Sequence, residues 1–347
     1  MPELTVAAGL AKGLIEVAVA AGASAAELAE RSGIAPAALD DQDARIPLDQ
    51  YVALMRSAKA LTGDPALALR YGATVHMSAF SVVGLIFYTC ETIAESIEQV
   101  NRYGQLIVET GVGAVPRFQF ERRDGRVWMV DTRPNPNDFP ELTEATFARF
   151  ISMTRPFSDG ALAQEMHVSH SAPAHWQDYE RICGVPVTFE AGWNAVRVDE
   201  GRLTQRIATQ PRYAFGILSE HAEALLVSLE SSKTVRGRVE GLAMPILHTG
   251  KVSVEAVARE MGVSRQTLFR KLKAEGTSFE QVLDELRHKL ALHYLAGKKA
   301  SVHETAYLVG FSDRAAFSRA FKRWTGQSPS ALRGGKDGDS ESIGRLH

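Results

Sequence analysis

Cysteine is nearly absent from this sequence of 347 residues, which contains only Cys90 and Cys183. Two cysteines cannot form a disulfide framework or a four-cysteine zinc site, so the composition favours a reducing compartment and two buried, inert thiols. No stretch reaches the ~18–20 uninterrupted apolar residues of a membrane span. The apolar segment 1–23 contains three charged residues and follows no basic cluster, unlike a signal peptide. We therefore expect a cytoplasmic protein without a membrane partner.

Motifs for catalysis and cofactor binding are absent as well. The sequence has no nucleophile elbow, no phosphate-binding glycine loop and no zinc-hydrolase motif. His167, His170 and His175 lie close together, but two of them would lie on opposite faces of a strand and no further ligand completes a metal site. We expect structural or hydrogen-bonding histidines, and the sequence predicts no enzyme, no cofactor and no bound metal.

The formal net charge is only -2, but the charges are unevenly distributed along the chain. Residues 1–235 carry a net charge of -9, residues 236–333 carry +8, and residues 334–347 carry -1. A basic segment beside an acidic one is typical of a protein in which one domain binds a polyanion.

Composition also predicts where the domains begin and end. A helical pattern over 213–230 gives way to two serines and a lysine, which indicates a linker at 231–237. Small polar residues with little to bury dominate 334–347, so we expect a disordered tail there. The predicted domains are therefore 1–230 and 238–333.

The basic segment contains an internal repeat. In 252–274 a short helical pattern is followed by a glycine, which allows the positive φ of a tight turn, and then by a second helix led by a serine. The same pattern returns in 302–324, with the matching positions 48 residues further along the chain. The matching positions are Ala258 and Ala306, Gly262 and Gly310, Val263 and Phe311, and Ser264 and Ser312. Two helix-turn-helix units are predicted.

One amphipathic helix is predicted between the two units, over 278–296. At 1.5 Å per residue it would be roughly 28 Å long, which approaches the ~34 Å turn of B-DNA. The second helices of the two units could then enter successive major grooves. Residues 25–39 have similar spacing, but an early proline and acidic neighbours favour a structural helix that does not contact DNA.

The second unit carries many characteristic residues at fixed spacing. They are Val309-Gly310-Phe311-Ser312-Asp313, Phe317-Ser318-Arg319-Ala320-Phe321-Lys322-Arg323, Thr325-Gly326, Ser328-Pro329 and Arg333. This set resembles the signature of the AraC/XylS family of transcription regulators, and the resemblance covers about 250–333. It implies an all-α DNA-binding domain of two helix-turn-helix units joined by a long helix. Ala315-Ala316 depart from the family pattern, which often has a larger or polar residue there, and this affects the base contacts of the second unit.

Helical periodicity separates buried from exposed side chains in the second helix of the first unit. Leu268 and Leu272 point inward. The side chains left available to a DNA groove are Arg265, Gln266, Thr267, Phe269, Arg270 and Lys273. Gln266 and Arg270 are one turn apart and suit adenine and guanine, respectively, so we predict that both contact bases.

In the second unit Phe317 and Phe321 point inward. The exposed side chains are Arg314, Ser318, Arg319 and Lys322. The resemblance implies a DNA contact for Arg319, Arg314 is the second candidate, and Lys322 is expected to bind phosphate. A single exposed arginine is more often merely solvated. The prediction of DNA contacts therefore depends on the whole pattern of two helix-turn-helix units with exposed cations, and not on any one residue.

The acidic part is predicted to be an α+β domain, because its helical and strand-like patterns show no repeated βαβ order. Helices are predicted over 9–21, 47–62, 91–110 and 141–154. Strands are predicted over 115–121, 126–132, 163–169 and 193–198, with a short strand at the end of 185–189.

A second set of residues lies within about 10–210. It comprises Gly63-Asp64-Pro65-Ala66-Leu67 with Leu69, Gly84, Arg102-Tyr103, His170 with Pro173, Gly184 with Pro186 and Phe189, and Asn194. This set resembles the N-terminal domain of one AraC subgroup, called arabinose-binding-like. The resemblance implies a regulatory domain that binds a ligand and forms a dimer, and it does not establish arabinose as that ligand.

Large or cationic side chains in the strand-rich part are the candidate pocket residues, since ligand pockets are mostly apolar with a few polar anchors. They are Trp128, Arg133, Trp176, Tyr179 and Trp193. Core packing is the alternative role for the aromatic residues among them.

The sequence thus predicts a transcription regulator that binds double-stranded promoter DNA, responds to a small-molecule effector, forms a homodimer and contacts RNA polymerase. The alternative is a constitutive DNA-binding or architectural protein without an effector, whose activity would be indifferent to metabolites. Some DNA-alkylation repair enzymes carry a similar basic module, but the cysteine-rich acceptor and zinc set of those enzymes is absent here.

Overall fold

A computed structural model describes residues 4–111, 115–157, 161–207, 212–296 and 300–334. The chain divides into two compact units, Met1–Leu226 and Val227–His347.

Helices make up most of the first unit. They are α1 (Ala8–Ala20), α2 (Ala25–Ser32), α3 (Leu48–Thr62), α4 (Leu67–Thr74), α5 (Val82–Phe87), α6 (Ile93–Ile107), α7 (Pro140–Thr154), α8 (Trp176–Cys183), α9 (Glu200–Leu203) and most of α10 (Arg212–Ser232). Short 3-10 helices occur at Pro36–Leu39, Met77–Ala79, Pro136–Asp138 and Arg155–Phe157.

Two sheets complete the first unit. The strands are β1 (Thr5–Ala7), β2 (Arg45–Pro47), β3 (Phe118–Arg123), β4 (Arg126–Asp131), β5 (Ala163–His167), β6 (Val187–Thr188) and β7 (Ala195–Val198). β1 and β2 form an antiparallel pair, and the other strands form one sheet in the order β3-β4-β7-β5-β6. Among the strands of the described residues, only β5 and β6 pair in parallel. The predicted α+β class is confirmed.

Local sequence explains several helix ends in this unit. At the start of α6 the Thr92 hydroxyl accepts a hydrogen bond from the backbone N–H of Glu95. The Glu95 carboxylate accepts from the backbone N–H of Glu91. Gly63 ends α3 with a φ of 64°, which a glycine adopts at little cost. Helices α3 and α7 lie within one residue of the predicted segments, whereas α6 is shorter than the predicted 91–110 at both ends.

The main core of the first unit lies between the five-stranded sheet and helices that include α4, α7 and α8. Met129 and Met166 contribute from the sheet, and Phe147 contributes from α7. Helices α4 and α7 approach closely because Gly72 has no side chain: a Cβ at this position would lie 2.3 Å from the Ala145 carbonyl oxygen. This contact fixes the position of α7.

The described residues of the second unit are organised by helices and turns. The helices are the end of α10, α11 (Val235–Ala243), a 3-10 helix at Met244–Thr249, α12 (Val254–Glu260), α13 (Arg265–Ala274), α14 (Phe279–Ala296), α15 (Val302–Leu308), α16 (Arg314–Thr325) and α17 (Pro329–Gly334). One core contains α12, α13 and Leu286 of α14, and another contains α15, α16 and Leu295 of α14. Helix α14 therefore joins the two predicted helix-turn-helix units by packing against both.

The segment predicted as a linker, 231–237, is mostly helical. Only Lys233 and Thr234 separate α10 from α11, because the Thr234 hydroxyl caps α11 by accepting from the backbone N–H of Gly237 at 2.9 Å. Gly237 also packs closely, since a Cβ there would lie 1.9 Å from the Ser231 carbonyl oxygen. The predicted tail, 334–347, lies outside the described residues except for Gly334.

The described residues include no helix that is both long and apolar enough to cross a membrane. Cys90 and Cys183 are buried, and burial raises the pKa of each thiol to about 12, so neither is a reactive thiolate at neutral pH. No group of three His, Cys, Asp or Glu side chains in the same residues is placed to hold a metal ion. His167 instead bonds Glu165 at 2.8 Å and accepts from the indole N–H of Trp193 at 3.1 Å.

Candidate DNA-binding surface and effector cavity

Side-chain caps begin all four helices of the two helix-turn-helix units. The caps are Ser253, Ser264, Ser301 and Asp313, and each accepts a hydrogen bond from the backbone N–H three residues later. The turns contain the two predicted glycines, with φ of 66° at Gly262 and 83° at Gly310. The sequence therefore encodes helix, left-handed turn and helix twice.

The two turns differ in length by one residue. Ser264, which caps α13, follows Gly262 by two residues, whereas the cap of α16 is Asp313 and not the predicted counterpart Ser312. As a result α13 begins at Arg265 and α16 at Arg314, so the second helices are 49 residues apart although the turn glycines are 48 apart.

With this register, α13 and α16 carry the same residue types at equivalent positions. The matched pairs are Arg265 and Arg314 at the first position, Leu268 and Phe317 at the fourth, Arg270 and Arg319 at the sixth, Leu272 and Phe321 at the eighth, and Lys273 and Lys322 at the ninth. The fourth and eighth positions are buried, and the arginines and lysines are exposed. Both helices thus present one pattern of cations.

Most of the predicted side chains of α13 are exposed. Gln266, Arg270 and Lys273 are exposed on the face opposite the buried leucines. Arg265 is exposed too, but it pairs with Glu255 at 2.9 Å. Thr267 is half-buried. Its hydroxyl lies 2.9 Å from that of the Ser264 cap.

The structure corrects the prediction for Phe269. This side chain is half-buried and packs against the core of the first helix-turn-helix unit, with the Arg265 guanidinium 5.3 Å from the centre of its ring. It follows Leu268 directly and so reaches the edge of the same buried face. The exposed Lys271, which was not predicted, adds a further cation to α13.

On α16, Arg314, Arg319 and Lys322 are exposed, and Ser318 is half-buried. The position that matches Gln266 is Ala315, which offers a methyl group and no hydrogen bond. Arg323 points elsewhere and pairs with Asp284 of α14 at 2.6 Å. The Arg333 side chain lies outside the described residues.

The five predicted pocket residues lie in different surroundings. Trp128 packs against His167 and Trp193 with its ring tilted to theirs, away from the core that its neighbour Met129 enters, because side chains alternate along β4. Trp176 is 44% exposed. Tyr179 is buried in the core and donates to Glu144 at 2.6 Å.

Arg133 is likewise structural. Its guanidinium is buried and donates to the carbonyl oxygens of Pro136 and Phe139 and to the hydroxyl of Thr143, at 2.7–3.2 Å. These acceptors hold the loop before α7 in place.

The first unit instead contains a cavity of about 120 Å³, and none of the five predicted residues lines it. Its walls come from α1, α5, α6, β3, β4 and α7 and from neighbouring loops, and they are mainly apolar. Polar groups include Asn101, Thr146, Arg117 and Arg149. Apolar walls with a few polar anchors are also common in small-molecule sites, so this cavity is the candidate effector site.

A sequence signal for this cavity exists on α7. Thr146, Arg149, Phe150 and Met153 all line it, at the spacing of one helix face. Arg149 is the charged residue among these four, and a charge on the buried face of a helix is the signal that the sequence analysis did not use.

Comparison with known proteins agrees with this architecture. A family model for the arabinose-binding domain of AraC transcription regulators matches residues 22–207, and a helix-turn-helix domain model matches residues 257–335. The chain belongs to the AraC family of transcription regulators. The predicted resemblance and fold class are thereby confirmed, and the protein is an AraC-type regulator with an arabinose-binding-like N-terminal domain.

Relatives of similar length support this membership. The chain is 29% identical over 328 residues to the ornithine utilization regulator of Pseudomonas aeruginosa, covering 93% of this chain and 94% of that protein. It is 26% identical over 320 residues to the regulator VirS of Mycobacterium tuberculosis, covering 90% and 91%, respectively. The activator RhaS of Escherichia coli is 40% identical over 89 residues, which cover 25% of this chain and 32% of RhaS.

Proposed function

We propose that this regulator reads promoter DNA with α13 and α16 and that a small molecule held in its N-terminal unit controls it. The repeated set of cations on α13 and α16 carries the DNA part of this proposal. Apart from Arg265, these matched cations form no ion pair with any residue that the structure describes. Unpaired cations on one side of a helix are what a phosphate backbone requires.

Each of the two helices has its own contacts with the DNA. Gln266 and Arg270 on α13 read base edges, since glutamine suits adenine and arginine suits guanine. On α16 Arg319 is the base-reading residue and Lys322 binds phosphate. Helix α14 has 18 residues, is therefore roughly 27 Å long and packs against both units, which supports second helices that enter successive major grooves about one turn of B-DNA apart.

The cavity supports control by an effector, since a constitutive DNA-binding protein has no need of one. We further propose a cytoplasmic homodimer that contacts RNA polymerase at the promoter. Tyr213 and Ile217 on α10 are 80% and 51% exposed, and apolar side chains of this size on one helix favour a subunit contact. The RNA polymerase contact rests on the family alone.

Selection from a pool of random duplexes tests the DNA part. Full-length protein should enrich a site with two conserved base clusters about 10 base pairs apart, one for each second helix. The double variant Gln266→Ala, Arg270→Ala should enrich sites in which one cluster is lost and the other kept.

Arg31→Ala is the matched control. It removes an exposed arginine from α2, the helix whose sequence spacing imitates a helix-turn-helix unit, and Arg31 pairs only with Glu27 in the part of the chain that the structure describes. This variant should enrich the parental site unchanged. A single undivided cluster, or the same loss in both variants, would show that α13 and α16 do not read two half-sites.

A further inference from the structure

The cavity of the N-terminal unit has an unbalanced charge. Arg117 and Arg149 line it, and its described lining includes no carboxylate. Arg117 is neutralised by Asp131, whose carboxylate accepts from Nε at 3.1 Å and from Nη2 at 2.8 Å. Burial raises the pKa of Asp131, but the charge and hydrogen bonds of Arg117 outweigh this and hold it below its usual value. The unbalanced cation is therefore Arg149.

Arg149 has no protein counter-ion among the described residues. Its Nε and Nη2 atoms are buried and have no hydrogen-bond partner there. Its guanidinium carbon lies 4.4 Å from the ring centre of Phe80 and 5.1 Å from that of Tyr71. Burial lowers its pKa, but a guanidinium stays protonated at neutral pH. A full positive charge thus faces an apolar cavity with unused donors.

Arg133 is a second buried arginine, and its hydrogen bonds can be compared with those of Arg149. It is buried in the same unit, and carbonyl and hydroxyl oxygens accept from both of its terminal nitrogens, so that only its Nε lacks a partner among the described residues. A buried charge without such partners is costly. The aromatic faces and the Tyr71 hydroxyl offset part of that cost at Arg149, but its Nε and Nη2 still have no acceptor among the described residues.

We propose that Arg149 anchors the carboxylate of a small, mostly apolar monoanion that occupies this cavity. This inference rests on the proposed effector control and names the chemical class of the effector. A carboxylate accepts the two donors that the protein leaves unused, and charge-assisted pairs with arginine are strong. The remaining walls, including Phe87, Ile97 and Phe150, contact an apolar body.

The size of the cavity limits that body. A cavity of about 120 Å³ is somewhat smaller than the ~150 Å³ engineered cavity that holds benzene. A ring or a chain of about six carbons is the expected size. A second charge has no partner in the described lining, so zwitterions should be rejected.

The test uses full-length protein and ligands of matched shape. Thermal unfolding is followed with hexanoate, hexanamide and norleucine, which share a six-carbon chain, and with benzoate and benzamide. At about five times its Kd a carboxylate should raise the Tm by roughly 2–4 °C. The amides and norleucine should raise it far less.

Variants then assign the effect to Arg149. Arg149→Met should weaken carboxylate binding by about 10–100-fold, Arg149→Lys should retain part of it, and Arg31→Met should retain all of it. If Arg149→Met fails to fold, the comparison of carboxylates with amides on the parent protein still shows whether binding requires a carboxylate. No shift with either carboxylate, equal shifts with the amides, or an undiminished shift in Arg149→Met would overturn the proposal.

A separate experiment tests the proposed DNA binding and its control by an effector. Fluorescence anisotropy on the selected duplex, with and without hexanoate, reports DNA binding and its control. If the selected site is bound and a neutral compound changes the affinity while carboxylates do not, the carboxylate class is wrong and effector control stands. If no site is selected, the DNA-binding proposal fails regardless of the Tm results.

Discussion

Arg270 and Lys322 are both exposed cations of the second helices, but they should differ in what they recognise. Arginine can bind guanine through two hydrogen bonds, whereas the lysine is expected to meet the phosphate backbone. Arg270→Ala should therefore cost about 1–3 kcal/mol on the selected site and relax one base preference. Competition binding with every base at each position of the site measures both effects.

Arg270→Lys serves as the matched control for this prediction. It keeps the charge but not the paired donors, so affinity for random DNA should persist while the base preference is lost. Loss of affinity by the same factor on all sequences would instead make Arg270 a phosphate contact.

The buried carboxyl group of Glu144 should make the stability of the protein depend on pH. Burial raises its pKa above the usual value of 4.5, although a hydrogen bond from Tyr179 and the charges of Lys59 and His170 act against this and Glu141 adds to it. Its Oε2 atom has no hydrogen-bond partner within the described residues. The folded state therefore holds this proton more tightly than the unfolded chain does. Its stabilising effect is present below the usual pKa of 4.5 and is lost as pH rises through the folded pKa.

Glu144→Gln should accordingly raise the free energy of unfolding near pH 7, because the amide keeps an acceptor for Tyr179 without a buried charge. The gain should shrink toward pH 4, where Glu144 is itself protonated. Urea unfolding across this range measures the difference. Glu141→Gln is the contrasting variant, since Glu141 pairs with Lys59 at 2.9 Å and its loss should not stabilise the protein. A less stable Glu144→Gln protein at pH 7 would contradict the prediction.

At the scale of elements, the two turn glycines offer a direct comparison. Both have positive φ, so alanine at either position carries a cost of about 1–2 kcal/mol. At Gly262 a Cβ would meet nothing within 4 Å, whereas at Gly310 it would lie 2.3 Å from the Leu247 carbonyl oxygen. Gly310→Ala should therefore cost a further ~1–3 kcal/mol through overpacking. Equilibrium unfolding of both variants checks this order, and equal losses would refute the close contact.

Elements with strong local signals could be predicted from the sequence, and shorter ones could not. Helices α1, α3 and α7 follow from helical periodicity, and in the second unit the caps and turn glycines mark most helix ends. Helix α5 has six residues and β1 and β2 have three each, too few to show a period. The extra residue before α16 was missed because Asp313 and Ser312 are both good caps.

The DNA-facing residues could be predicted from the sequence, whereas the cavity could not. The exposed residues of α13 are set by the period of one helix, so the sequence predicts them, with Phe269 as the exception at the edge of the buried face. The cavity is lined from segments as distant as Leu10 and Met153, and its existence depends on how they pack. Trp128, Trp176, Tyr179 and Trp193 were predicted to line a pocket because a sequence shows the type of a residue but not the direction of its side chain.

At the scale of the whole molecule, the near-neutral total charge conceals a basic DNA-binding segment, and this makes a prediction about salt. If Arg270 and Arg319 contact bases, Lys271, Lys273, Arg314 and Lys322 remain for phosphates on α13 and α16. Each phosphate contact contributes about -0.9 to the slope of log K against log salt concentration. These four contacts therefore give a slope of about -3.6 or steeper.

Fluorescence anisotropy of the full-length protein on the selected duplex, at several salt concentrations, measures this slope. Lys322→Ala should make it shallower by about 1, while Arg31→Ala should leave it unchanged because the acidic N-terminal unit does not neutralise phosphates. A parental slope shallower than about -2 would mean that fewer than three of these cations contact the backbone. The matched faces of α13 and α16 would then not both be engaged on DNA.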